Sequence, residues 1–323
     1  MLKNSAEFVK EAKNWVITPR EIQASFDVVA MYPSVPIKKA IDVIMEMLKN
    51  DFDKVKTRTP LMLHHIGSLI QLCLNNSYFL WNNEIRQLVD SGPIGLSLMV
   101  VVAEGFLQFI EKQEFTIAKL PSNSVCPITH RRYVDDSHDR FSNRRKCDKF
   151  LAILNSIEPK IQFTVEYEDD DKRLNFLDTT IINNGKGKYD FHIHRKEAIT
   201  NVQIKPNSCH DDKVKYGVFK GFLHRAHIIC SAKYLEAEIK FLINVFVDNG
   251  YDKSILHKIT RNYLSSRKNT GEVTERKKFI SLPFIPNLSN KFKNIFSKAG
   301  FIVMFRSGRN LESVLTSRNK AKL

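Results

Sequence analysis

The sequence predicts an α+β protein in which strands and helices alternate through the first two thirds and helices dominate the last third. Three observations carry this. Runs of β-branched and aromatic residues bounded by turn residues recur between residues 22 and 196. Segments with apolar residues at three- and four-residue spacing separate them. From Ser208 onward the strand-like runs give way to helical periodicity. With 323 residues, 43% of them hydrophobic, the chain can bury substantial cores.

The first unit is a buried strand, "IQASFDVVAMY" (22–32), followed by the helix "PIKKAIDVIMEMLKN". Pro36 stands at its first turn, and Ile37, Ile41, Ile44 and Leu48 share one face. A second helical stretch runs from Pro60 to about Asn75. "SYFLWNNEIRQLV" then reads as a hairpin turning at Asn82 and Asn83, residues that tolerate positive φ. The Gly-Pro-Gly loop "SGPIGLS" opens the apolar helix "LMVVVAEGFLQFIEKQ", and "THRRYV" reads as a strand turning at Asp135 and Asp136. After a helix near 145–158 come three strand-like runs, "IQFTVEYE", "LNFLDTTII" and "KYDFHIHRK", joined by polar turns. Three helices follow: "DDKVKYGVFKGFLHRAHII", "AKYLEAEIKFLINVFVDNG" and "DKSILHKITRNYLSS". Asn249-Gly250 reads as a C-cap and Asp252 as an N-cap.

Charge is unevenly spread. Residues 1–204 hold 27 Lys or Arg against 26 Asp or Glu, whereas residues 205–323 hold 23 against 9, so nearly all of the net +15 lies in the last part. A basic face of this kind suits a polyphosphate partner, because neutralising phosphates releases condensed counterions. The five cysteines are scattered without a CxxC pair, which excludes a disulfide framework and a standard zinc module and points to a reducing compartment, cytoplasmic or nuclear. The charged N-terminus and the short apolar runs predict no signal peptide, no transmembrane helix and no membrane partner.

Two segments carry carboxylates at strand ends. Asp27 closes a strand that reads as buried, where an unpaired charge asks for a partner or a metal. Asp135 and Asp136 close another strand 108 positions later. If the two strands share a sheet, Asp27 and Asp135 converge at one edge, as two-metal nucleotidyl transfer requires. Hard oxygen ligands suit Mg²⁺, with Mn²⁺ as its substitute.

The ordered set "FDVVAMYPSVP", "SGPIGLSLMVVVAEGFLQFIE", "RRYVDD" and "LNFLDTTI" resembles the palm of a reverse transcriptase, in particular that of Penelope-like retroelements. "FHIHRKEAITNVQIKPNS", "GVFKGFLHRAHIICS" and "ISLPFIPNLSNKFKNIFSKAGFIVMF" are similar to that family's primer-grip and thumb regions. The resemblance implies a right-hand polymerase palm over residues 1–204, an antiparallel sheet with packed helices, and a basic, mainly helical, thumb-like region over 205–323. It implies an RNA-directed DNA polymerase that adds dNTPs to a primer 3′-hydroxyl on an RNA or DNA template. Asp27 and Asp135 match the metal-binding aspartates and the backbone at Val28 a further metal ligand, while Asp136 matches their neighbour with a less direct role. Tyr32 matches the bulky gate against a ribose 2′-hydroxyl. Gly92 and Gly95 match the loop that approaches the incoming nucleotide, and Asp178 matches a structural position.

Departures from the family pattern set a second expectation. Only 26 residues precede Asp27, too few for the family's fingers, and its C-terminal GIY-YIG nuclease is missing beyond "SRNKAKL". "SHDRF" places His138, Asp139 and Arg140 where polymerases usually carry apolar residues, and no proline follows the serine of "PIGLSLMVV". The chain therefore also reads as a truncated, inactive remnant that only binds nucleic acid, through a helix-turn-helix-like bundle within 205–323. His224, His227, Cys230, Cys209 and His210 depart from zinc-finger spacing and read as a basic, partly buried helix face. His192 and His194 read as sharing one strand face. "EYEDDDKR" reads as a solvated hairpin tip, and Phe222, Leu223, Phe241, Leu242 and Phe246 as helical core.

Overall fold

A computed structural model describes residues 1–89, 91–210, 212–268, 278–283, 285 and 288–306; the terminal "SRNKAKL" and Asp211 lie outside these. In chain order its elements are α1 (Ser5–Ala12), β1 (Ile22–Val28), α2 (Met31–Ser34), α3 (Ile37–Asn50), α4 (Phe52–Lys56), α5 (Leu63–Asn75), β2 (Tyr78–Trp81), β3 (Glu84–Gln87) and α6 (Ser97–Ala118). There follow β4 (Thr129–Tyr133), β5 (Asp136–Phe141), α7 (Arg144–Ile157), β6 (Phe163–Tyr167), β7 (Arg173–Phe176), β8 (Thr179–Asn183) and β9 (Tyr189–Ile193). The remainder is α8 (Asp212–Ile229), α9 (Ala232–Asp248), α10 (Lys253–Lys268), β10 (Lys278–Pro283), α11 (Ser289–Lys298) and β11 (Phe301–Arg306).

The central sheet is antiparallel with strand order β4-β5-β1-β6, so β1, the first strand in sequence, lies inside the sheet. Alternation along β1 and β5 divides its side chains between two faces. One face sends Ala24 and Phe26 against Phe141, Cys147 and Phe150, which seats α7 on the sheet. A neighbouring core joins Val28 at the end of β1 to Ile37, Ile41, Ile70, Leu74, Phe106 and Ile110, fastening α3, α5 and α6 together. Toward the other face a second antiparallel sheet, β7-β8-β9, and α1 bring Phe8, Trp15, Phe176 and Tyr189 around His138.

Local chemistry explains the boundaries. Asn4 and Asn143 cap α1 and α7 by accepting from the amides of Glu7 and Lys146. Asn82 and Asn83 both have positive φ, 49° and 62°, as the two-residue turn between β2 and β3 demands. Asp252 accepts from the amides of Ser254 and Ile255 at the start of α10, and Gly250 follows the C-cap Asn249 of α9 with φ 94°.

Two expectations are corrected. The run 22–32 stops being a strand at Val28: Ala30 is left-handed (φ 48°), and Met31–Ser34 form a short helix whose first turn accommodates Pro33. "LNFLDTTII" is two strands, broken by a turn at Leu177 (φ 55°) and Asp178, the latter bound by Arg225 and Ser5. Apolar alternation does not reveal a two-residue turn inside such a run. In the last basic segment, to which the sequence assigns no element, β10 and β11 pair in parallel on either side of α11 in the sequence.

By compactness the chain divides into Met1–His257 and Lys258–Leu323, a division that falls within α10. The change in composition at residue 205 therefore lies inside the first unit. Among the described residues no helix is long and apolar enough to cross a membrane.

Phe150 is fully buried and touches the rings of Phe26, Phe115 and Phe141. Phe150→Ala is expected to lower unfolding stability by about 3–5 kcal/mol, read from urea denaturation at unchanged cooperativity.

Candidate functional site

Strand register determines which carboxylates meet. β1 pairs with β5 as Phe26↔Ser137, and the next step of that antiparallel register sets Asp27 beside Asp136. Directly opposed side chains lie on one face with Cβ atoms about 4.5–5.5 Å apart. Asp27 also faces Thr164 of β6, whose hydroxyl donates to the Asp27 carbonyl at 3.4 Å. Asp135 and Val134 form the turn between β4 and β5, so Asp136 opens the return strand; the expected turn at Asp135 and Asp136 is shifted back by one residue. The neighbour of β1 is thus the return strand β5, with β4 one place further out.

The carboxyls sense one another. Partial burial, the charges of Asp135 and Asp27 and a hydrogen bond with Asp27 push the Asp136 carboxyl up to about 6, against the opposing pull of Lys196. β1 is largely buried as expected, but Asp27 near its end is exposed, so burial does not by itself demand a partner for its charge. The pairing of Asp27 with Asp136, not burial of one acid, is what makes this edge unusual. Among the described residues no group of three or more His, Cys, Asp or Glu side chains is already arranged around a cation position. The Asp27–Asp136 pair nevertheless has the donor chemistry for a divalent ion, since a cation would relieve the repulsion that now raises Asp136.

Asp27 and Asp136 line a cleft of about 310 Å³ together with Ser25, Thr164, Glu166, Asn175, Leu177, His194 and Lys196. Asp135 instead borders a hollow of about 20 Å³ with Glu111, His130, Arg132 and Ser137, on the side of the sheet where α6 packs. Val28 is buried in the core and pairs with Phe163, and the adjacent Val29 amide donates to Gln162 at 2.9 Å. Tyr32 is half-buried in α2, one short turn beyond Asp27.

The glycine loop docks on that turn. The Gly92 amide donates to the Tyr32 carbonyl at 3.1 Å, and the Ser91 hydroxyl donates to the Pro33 carbonyl at 3.1 Å. A Cβ at Gly92 would stand 2.4 Å from the Tyr32 oxygen and 2.6 Å from the Met99 sulfur, so only glycine fits without displacing backbone. Gly95 has open space but φ 94°. The structure therefore joins Tyr32 to Gly92 and Asp27 to Asp136.

Of two further cleft residues, Lys196 is not singled out by the sequence, and His194 is read there only as sharing a strand face with His192. His194 and Lys196 follow β9 two residues apart, and both point into the cleft. The period-two spacing of "HIHRK" was the available signal. It paired His192 with His194, whereas the His192 ring lies against Tyr234 and only His194 reaches the cleft. Asp178 sits away from the acids, tied to Ser5 and Arg225, with its carbonyl accepting from the His194 amide at 2.9 Å. Glu166 lies on β6 and lines the cleft, while Asp169, Asp170 and Asp171 form an exposed turn. Leu223, Leu242 and Phe246 are core, but Phe241 is exposed and lies under the Arg195 guanidinium.

The charged residues of "SHDRF" are all partnered. His138 shares a hydrogen bond with the Gln23 side chain and stacks on Trp15, and burial beside Arg140 brings its imidazole down to about 3. Arg140 binds Glu21 and the Val16 carbonyl. Asp139, fully buried, accepts from Ser137 and lies 2.8 Å from His130, whose other ring nitrogen is 3.0 Å from Glu111. Burial alone would depress His130, but Asp139 and Glu111 outweigh it and raise the imidazole to about 10. Burial likewise opposes ionisation of Glu111, yet His130 and Arg132 hold it down at about 2. Glu114, buried near Asp139, is pushed up to about 9.

With this geometry described, three comparisons bear on it. Residues 203–261, covering α8, α9 and the first part of α10, match the family described as the animal helix-turn-helix domain. Comparison with curated protein sequences gives no match. Among solved structures, telomerase from Candida albicans in complex with the TWJ fragment of telomeric RNA aligns over 82% of this chain and 46% of its own, at 10% identity and a TM-score of 0.54. Apo telomerase from Candida tropicalis aligns over 82% and 46%, at 12% identity and 0.47, and the RNA-dependent RNA polymerase of bacteriophage phi12 over 80% and 42%, at 14% and 0.46. The chain thus spans less than half the length of these polymerases. At 10% identity the first likeness speaks for the fold alone. The fold is a polymerase palm, an antiparallel sheet with packed helices, followed by a helical thumb-like region.

Two outcomes are expected. Gly92→Val should lower the melting temperature more than Gly95→Ala, whose strained φ costs about 1 kcal/mol, as thermal unfolding of both variants would register. The stabilisation from His130 is complete below pH 6.5, the ordinary value, and is lost as pH rises through about 10. That from Glu111 is complete above 4.5 and lost as pH falls toward about 2. Urea midpoints should therefore fall between pH 6.5 and 10, and His130→Gln should flatten that limb.

Proposed function

We propose that this chain is the palm and thumb-like part of an RNA-directed DNA polymerase similar to the reverse transcriptases of Penelope-like retroelements. The observation that carries the reading is the pairing of Asp27 with Asp136 at one end of an antiparallel sheet, beside an open cleft, with Asp135 next in the chain at the β4–β5 turn. Polymerisation needs carboxylates from separate segments at one point, and the β1–β5 register that sets Asp27 beside Asp136 supports this. Asp27 and Asp135 with the Val28 backbone would hold Mg²⁺, or Mn²⁺ in its place, with Asp136 beside them. Bound ions supply charge neutralisation at the α-phosphate.

The chain's own residues provide position. Tyr32 limits room at the sugar 2′-position, and the Gly92–Gly95 loop brings its backbone close to the incoming dNTP. Lys196 offers a cation across the cleft from Asp136. The partners are a primer annealed to an RNA or DNA template, and dNTPs.

A second reading is favoured by the helix-turn-helix match at residues 203–261 and by the basic excess beyond residue 205: a protein that grips duplex nucleic acid without polymerising. Template-directed primer extension by the full chain with Mg²⁺ or Mn²⁺ separates the two. The polymerase reading expects incorporation of dNTPs that Asp27→Asn and Asp135→Asn each abolish, with duplex affinity by fluorescence anisotropy unchanged. The binding-only reading expects the same affinity, with no incorporation by wild type or variants.

A further inference from the structure

Arg132 lies outside the cleft, yet its bonds converge on the turn that carries Asp135. Its side chain is 6% exposed, and every nitrogen is engaged. Nε donates to Glu111 at 2.6 Å, one terminal nitrogen to Glu104 at 2.7 Å and to the Val134 carbonyl at 2.6 Å, and the other to Glu104 at 2.8 Å and Glu111 at 3.2 Å. Glu104 and Glu111 stand two turns apart on α6, so the guanidinium spans one face of that helix. Its remaining bond goes to the backbone of the residue before Asp135.

Val134 is the residue that needs holding. Its φ is 55°, in the left-handed region that a β-branched side chain seldom occupies. Such a conformation persists only where surrounding structure over-determines it. Arg132 provides that restraint and links the turn to α6, the helix that follows the Gly92–Gly95 loop.

Stability alone is a poor reason for this arrangement. A buried ion pair loses much of its Coulombic gain to desolvation, and well-packed apolar residues often serve as well or better. A bidentate guanidinium supplies direction, and here it is aimed at a carbonyl.

We infer that Arg132 is a positioning residue: clamped between Glu104 and Glu111, it fixes the strained Val134 peptide and thereby the orientation of Asp135. The inference deepens the polymerase reading and rests on it for the role of Asp135, but its physical content can be measured without catalysis.

Hydrogen–deuterium exchange on the full chain, wild type against Arg132→Met and Arg132→Lys, tests it. In Arg132→Met, exchange in the peptide spanning residues 133–137 should quicken about ten- to a hundredfold, while the interiors of α6 and α7 keep wild-type protection. Arg132→Lys, retaining charge without the fork, should be intermediate. Unchanged exchange at the turn in a folded Arg132→Met overturns the inference, as does equal acceleration throughout the sheet and helices, which marks a purely global role. Should Arg132→Met fail to fold by circular dichroism, Glu104→Gln, which loosens the clamp from the helix side, is judged by the same two criteria. Mn²⁺ titration followed by electron paramagnetic resonance separates the two ideas: a wild type that binds no Mn²⁺ refutes the metal reading of Asp135, while the exchange result still decides the role of Arg132.

Discussion

The antiparallel register of β5 against β1 is the constraint on which the site depends. Phe26 opposite Ser137 sends both toward the helices, and by alternation puts Asp27 and Asp136 together on the opposite face. A slip of one residue would send Asp136 toward α6 and α7, and the acids would no longer meet. The aromatic packing of Phe26 and Phe141 on Phe150 fixes that register from the helix side, so core packing and acid convergence are two consequences of one alignment.

The same alternation resolves the charged strand. On one face of β5, His138 and Arg140 reach Gln23, Trp15 and Glu21; on the other, Asp139 reaches His130. Each ionised group is paired, which is the condition for keeping charge in a sheet interior. The polar side chains of "SHDRF" are therefore met by Gln23, Glu21 and His130, with Glu111 on the other ring nitrogen of His130. The helical region is tied to the palm in a comparable way: Ser231, between α8 and α9, exchanges hydrogen bonds with the Phe191 backbone of β9.

Much of this was legible in the sequence, and the remainder was hidden for physical reasons. The helices α3 and α8 to α10 fall where apolar spacing puts them, and Asn82-Asn83 announced the β2–β3 turn through its tolerance of positive φ. The α+β class followed from the order of elements, and the polymerase-like palm from the resemblance carried by four ordered motifs. Strand ends were less visible, since neither the left-handed Ala30 nor the break at Leu177 carries a glycine. Asp27 was recognisable as special, but for the wrong physical reason: it is exposed, and its significance lies in its neighbours. Lys196 and the Arg132 clamp depend on contacts between segments far apart in the chain, which local pattern does not encode.

The central claim is that Asp27 and the Asp135–Asp136 turn form one divalent-cation centre for nucleotidyl transfer. The most direct measurement is anomalous diffraction from crystals of the chain bound to a primer–template duplex, a non-hydrolysable dNTP and Mn²⁺. The account predicts Mn²⁺ peaks between the Asp27 and Asp135 carboxylates, with the nucleotide triphosphate completing their coordination and the Gly92–Gly95 loop against it. Mn²⁺ bound to the triphosphate but away from both aspartates, or a duplex held only by residues 203–261 with the cleft bare of nucleotide, would contradict it.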